Sequence, residues 1–274
     1  MKNIFRLVRL DGFLFMFLCL FIPKNPLYAQ WVHTSGPNGT NVSCLIFNKG
    51  NLLAGTSGGG IFISMDNGSS WAQSNEGLTN SSLVTLFVNG TDIYAGSNWG
   101  LYKSTNNGSS WNYITGTNFC VRALAVNGTH LFAGSDGGTI YTSTDNGSNW
   151  TQVGSVMTGP QAQPVFALTI SDSSIFAGTS GNGIFRSIDS GKTWIPINTG
   201  LTSLGVGSMA VNNGIIFAGT GDGVSISTNN GSSWTQRNTG LQNNGVMVLF
   251  GNGTKVYAVT YGGGIFVTTD NGLS

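Results

Sequence analysis

An eight-residue stretch occurs five times complete and a sixth time in part, and no other feature constrains the fold so tightly. Ser64-Met65-Asp66-Asn67-Gly68-Ser69-Ser70-Trp71 returns as Ser104 to Trp111, Ser143 to Trp150, Ser187 to Trp194 and Ser227 to Trp234. The sixth copy runs from Thr268 to Ser274. The motif glycines, 68, 108, 147, 191, 231 and 272, are spaced by 40, 39, 44, 40 and 41 residues. A second anchor keeps step with them: Ala54-Gly55, Ala95-Gly96, Ala133-Gly134, Ala177-Gly178, Ala218-Gly219 and the degenerate Ala258-Val259.

Each unit reads as four short strands. An apolar first strand, such as Leu83 to Val88 or Val121 to Val126, precedes a second that ends at the Ala-Gly anchor. Asn89-Gly90, Asn127-Gly128 and Asn252-Gly253 lie between the two, and Asn-Gly between β runs is the strongest short hairpin signal. A third strand such as Gly60 to Ser64 follows, and a fourth starts at the tryptophan. Four strands in about 40 residues is the size of one β-propeller blade. The fourth position of the first strand is always large (Leu45, Leu86, Leu124, Leu168, Met209, Leu249). The third is smaller (Cys44, Thr85, Ala123, Ala167, Ser208, Val248). Neighbouring positions face opposite sides of a strand, so each sheet offers a bulky and a small apolar face, as stacking between two others requires.

Composition excludes the alternatives. Charged residues make up 8% of the 274, against about 25% in an ordinary domain, and Glu76 is the sole glutamate. Helix surfaces need Glu, Lys and Arg, so a helical fold is excluded. A hydrophobic share of 40% excludes disorder.

The first 29 residues read as a secretory signal peptide: Lys2, Arg6 and Arg9 precede an apolar run from Gly12 to Ile22, and Ala29 offers a small residue for cleavage. That run is too short to span a bilayer. The expected mature chain, 30–274, keeps seven cations and nine anions, with no basic stripe for nucleic acid and no transmembrane segment. Cys44 and Cys120 lie at offset positions in different repeats and are read as half-buried free thiols. His33 and His130 lack partners at metal-ligand spacing, so no metal or cofactor is expected.

The Ser-x-Asp-x-Gly-x-x-Trp pattern resembles the Asp-box, or bacterial neuraminidase repeat, of sialidases, sortilin-type receptors and photosystem II assembly-factor-like propellers. The resemblance covers residues 31–274 and implies a β-propeller. Glycine permits the left-handed backbone of a tight turn, the aspartate accepts N–H groups across it, and the tryptophan covers the hairpin. Asn106 and Asn229 replace Asp66, Asp145, Asp189 and Asp270 in two copies, so the position needs an acceptor rather than an acid. The motif residues, with Trp71, Trp111, Trp150, Trp194 and Trp234, are therefore structural. Sialidase activity would need an arginine triad, but Arg122, Arg186 and Arg237 occupy three different blade positions and are not expected to converge.

The expectation is an all-β, six-bladed propeller, exported, monomeric and non-enzymatic, that binds a protein or an extracellular glycan. A glycan-active hydrolase is the alternative reading and an assembly factor the third. Trp31, followed by Val32 and His33, matches the start of a fourth strand and is expected to close the sixth blade. A larger ring is the alternative. The turns between second and third strands vary most, and loops that vary carry binding. They place Trp99, Tyr261, Asp136 and Asp222 as candidate ligand-binding residues. Trp99 lies outside the repeat pattern, and packing on a neighbouring blade is the competing account of it.

Overall fold

The computed structural model describes residues 34–156, 163–242 and 244–273, and all regular structure in them is β. The first sheet holds β1 (Val42–Asn48), β2 (Asn51–Thr56), β3 (Ile61–Ser64) and β4 (Ala72–Gln73). The second holds β5 (Leu83–Asn89), β6 (Asp92–Ser97), β7 (Gly100–Ser104) and β8 (Asn112–Tyr113). The third holds β9 (Val121–Asn127), β10 (His130–Ser135), β11 (Thr139–Ser143) and β12 (Thr151–Ser155). The fourth holds β13 (Val165–Ser171), β14 (Ser174–Thr179), β15 (Ile184–Ser187) and β16 (Ile195–Pro196). The fifth holds β17 (Val206–Asn212), β18 (Ile215–Thr220), β19 (Gly223–Ser227) and β20 (Thr235–Gln236). The sixth shows β21 (Val246–Gly251), β22 (Val256–Thr260) and β23 (Gly264–Thr268) among the described residues.

Every pairing is antiparallel and joins strands consecutive in sequence, and the sheets follow one another in the ring of a six-bladed β-propeller. The expected fourth strand of the sixth sheet, led by Trp31, lies outside the described residues, as does the expected signal peptide.

Turn chemistry sets the strand ends. Asn213 and Gly214 both adopt positive φ, 51° and 76°, in the two-residue turn between β17 and β18, the mirror-type turn that suits twisted strands. In the eight-residue motif the residue before the glycine is left-handed too: Asn67, Asn107, Asn146, Ser190, Asn230 and Asn271 all have φ between 54° and 61°. The Ser64 hydroxyl accepts the Gly68 N–H at 2.7 Å and donates to Asp66 at 2.8 Å. Asp66 in turn accepts the Ser70 N–H at 2.8 Å and the Ser70 hydroxyl at 2.6 Å. Asn106 repeats the first of these with Ser110 at 3.0 Å, but its amide donates to the Ser110 hydroxyl at 2.8 Å. The serine hydroxyl rotates to suit either partner, which is why both residues serve.

The core lies between sheets. Leu53, Ile61 and Ile63 pack on Leu83, Leu86 and Tyr102 of the next sheet, and four further clusters fill the following junctions. The Ala-Gly anchor now has its reason. A Cβ on Gly96 would lie 2.6 Å from the Val121 carbonyl, and one on Gly134 2.5 Å from Val165, so the neighbouring sheet sits directly on the glycine backbone. The degenerate Val259 occurs on the sixth sheet, whose corresponding face is open.

Two faces stay uncovered among the described residues. Leu45 is 57% exposed where Leu86, Leu124, Leu168, Met209 and Leu249 are 7–9% exposed. On the sixth sheet Ile265 is 55% exposed, although Ile61, Leu101, Ile140 and Ile184 are fully buried at that position. Just before β1, Gly36 lies against Trp71 and the Ser35 hydroxyl donates to the Ser69 carbonyl, holding residues 34–36 on the first sheet.

Candidate functional site

One end of the first strands departs from regular pairing in every sheet. A β-bulge leaves one extra residue on each: Ser43, Val84, Arg122, Phe166, Gly207 and Met247. Bulges re-aim side chains and are common beside functional sites. They lie at the end of each sheet where the second strand runs into the variable turn, so bulge residues and turns share one face. Arg122, Phe166 and Gly207, from three successive sheets, together with Thr85 and Met209, line a cavity of about 180 Å³.

Arg122 is the chemical centre of this face. Its Nε donates to Asp136 Oδ1 and its Nη2 to Oδ2 at 3.3 Å, a two-pronged ion pair. The guanidinium lies 5.4 Å from the centre of the Phe166 ring, within cation–π range, and Phe166 is itself exposed. The carboxylate of Asp136 keeps the Arg122 charge bound ever more firmly, raising its pKa. Cys120 is a free thiol pushed up to about 11, first by burial and then by its bond to Asp136 and that carboxylate's charge. It stays protonated at neutral pH and donates to Asn98 at 3.7 Å. Asn98 and Trp99 form the two-residue turn between β6 and β7. Trp99 is 69% exposed, so packing on a neighbouring blade does not account for it.

Of the four residues singled out in sequence, Asp136 joins Arg122 and Trp99 reaches the same group through Asn98 and Cys120. Asp222 is exposed in the turn after β18, where its carbonyl accepts from Gln236 and Asn238 at 2.8 and 2.6 Å. Tyr261 is 73% exposed in the turn after β22, and its N–H donates to Gly245. It belongs to the sixth sheet, so these two aromatics mark separate parts of the face. The arginines behave as expected: Arg186 bonds the Asn230 carbonyl at 2.7 Å, while Arg237 lies beside the sixth motif turn. Arg122 and Phe166 were missed as site residues. Counting back from the Asn127-Gly128 turn brings Arg122 opposite the Ser135-Asp136 end of β10, a signal present in the sequence.

No carboxylate in the motif turns suits acid catalysis. Hydrogen bonds from Ser70, Asn149 and Thr193 hold Asp66, Asp145 and Asp189 at about 2. Asp92 is likewise lowered by its contact with Lys103, although partial burial opposes the shift. No group of three or more His, Cys, Asp or Glu able to hold a metal occurs among the described residues, and none of their helices could cross a membrane.

No protein-family model matches this chain, and no curated protein matches it. Solved structures do. An ancestral GH74 enzyme is 20% identical with a TM-score of 0.69, covering 81% of this chain and 35% of its own. YCF48 bound to D1 peptide is 18% identical with a TM-score of 0.65, covering 86% and 81%. The extracellular domain of the one component system BT4673 from B. thetaiotaomicron is 15% identical with a TM-score of 0.69, covering 86% and 33%. This chain thus spans about a third of the GH74 and BT4673 chains. At these identities the likeness is one of fold: the chain is a β-propeller built like those of both enzymes and binding domains.

Proposed function

We propose that the protein is an exported, non-enzymatic binding module whose ligand, an extended peptide or a sugar chain, lies across the bulge-and-turn face around Arg122 and Trp99. The observation that carries this reading is the six-fold bulge, which aims Arg122 and Phe166 from neighbouring strands into one cavity beside an exposed tryptophan. A ring face covers apolar area while a charged fork fixes orientation. YCF48 held with a peptide and the BT4673 extracellular domain are precedents for the use of this fold. The Asp-box identity of the motif fits its turn geometry, and export rests on the 1–29 segment.

The glycan-hydrolase reading draws on GH74 alone, and the carboxylates held at about 2 speak against it. A glycan array and a peptide-display library, each probed with the full chain, test the proposal, with release of reducing ends measured in parallel. Binding without turnover is expected; turnover of any array member would overturn it.

A further inference from the structure

A cavity of about 280 Å³ opens between the fifth and sixth sheets, remote in sequence from the Arg122 face, and the repeat itself states what shape it fits. At the junction of the first and second sheets the corresponding space is filled by Trp111, which is 2% exposed. Its backbone N–H donates to the Glu76 carbonyl at 2.9 Å and its indole N–H to the Ser74 carbonyl at 3.0 Å. Trp234 fills the junction of the fourth and fifth sheets in the same way, donating to Thr199 at 2.9 Å and to Ile197 at 2.7 Å. Counted from the preceding motif tryptophan, the equivalent carbonyls in the next junction belong to Thr239 and Arg237, and both residues line the cavity.

A glycine underlies each of these seats. A Cβ on Gly77 would lie 1.9 Å from the Trp111 carbonyl, and one on Gly200 2.2 Å from that of Trp234. Gly240, the third of the series, shares their left-handed backbone at φ 82°, yet nothing lies within 4 Å of its Cβ position. The wall that receives a tryptophan is therefore complete, and no described residue occupies the space. Beside it, β23 is an edge strand. Its Val267 and Phe266 take the places that Ile226 and Ser225 hold opposite Thr235 and Gln236 in the fifth sheet.

We infer that this is a second binding site, which takes a tryptophan-bearing extended segment of a partner polypeptide. The segment adds to β23 as a fourth strand and seats its indole over Gly240. Backbone pairing supplies affinity and the indole pocket supplies selectivity, the division of labour in strand-addition recognition. The five filled junctions of the same molecule show which side chain the seat accepts.

The test uses the full chain and a synthetic peptide, Ser-Ser-Trp-Thr-Gln-Arg-Asn, copied from residues 232–238. Saturable binding by calorimetry is expected, weakened at least tenfold when the peptide tryptophan becomes alanine. Gly240→Ala is expected to weaken binding at least tenfold, because its methyl would meet the incoming backbone as at Gly77. Gly116→Ala, which carries the same left-handed strain in open space, is expected to bind as the parent does. Absence of binding, or equal binding of both peptides, would overturn the inference. So would binding that emerges only in Trp31→Ala, since the seat would then belong to the chain's own tryptophan.

Discussion

The indole N–H of Trp111 donates to the carbonyl of Ser74, 3.0 Å away in the preceding repeat. Trp234 makes the same link to Ile197, whereas Trp150 and Trp194 bond their own turn glycines, Gly147 and Gly191. One motif position thus plays two parts: two copies stitch sheets together and two brace a single hairpin.

That difference is measurable. Trp111→Phe keeps most of the buried ring but orphans the Ser74 carbonyl, and is expected to lower stability by about 1–2 kcal/mol. Trp111→Ala is expected to cost about 3–5 kcal/mol. Trp150→Phe, which breaks only a local bond, is expected to cost less than Trp111→Phe. Urea unfolding of the three variants against the parent checks the order.

The motif aspartates set the acid limb of stability. Asp66, Asp145 and Asp189 titrate at about 2 when folded, against an ordinary 3.8, so the folded state binds fewer protons than the unfolded one. Their contribution is present above pH 3.8 and lost as pH falls towards 2. Replacing all three by asparagine, the residue already at positions 106 and 229, is expected to leave neutral stability nearly unchanged and to flatten the fall between pH 4 and 2. Thermal melts of parent and variant across that range check it.

Gly96→Ala is expected to destabilise by about 1–3 kcal/mol, because its methyl meets the Val121 carbonyl of the next sheet and the core cannot expand to admit it. The sixth sheet carries Val259 at the same position, with its outward face open. Val259→Gly is therefore expected to relieve no clash and to gain no stability in the same unfolding assay.

The repeat, the four-strand unit and the acceptor role of Asp66 were legible because each follows from local spacing and side-chain chemistry. The left-handed conformation of Asn67 was half legible: Asn-Gly marks a tight turn, but not that both residues go left-handed. The constancy of the Ala-Gly pair was visible without its cause, since Gly96 is constrained by Val121, a residue of the next repeat. Arg122 escaped notice for a related reason. Its strand pattern gives it an ordinary alternating position, and only the bulge opposite Ser135 turns it towards Phe166. Contacts between repeats and breaks in register depend on tertiary packing, which period alone does not carry.

The central claim is that ligand is held by the bulge-and-turn face and not by the motif turns. The most direct measurement is the affinity of the full chain, by calorimetry, for the strongest peptide or glycan recovered from the array, before and after Trp99→Ala and Arg122→Gln. Trp99 is exposed, so its removal is expected to leave the melting temperature within about 2 °C, in keeping with the small effects of surface substitutions. The account predicts at least a tenfold loss of affinity in each variant. Unchanged affinity in both, with the fold intact, would contradict it.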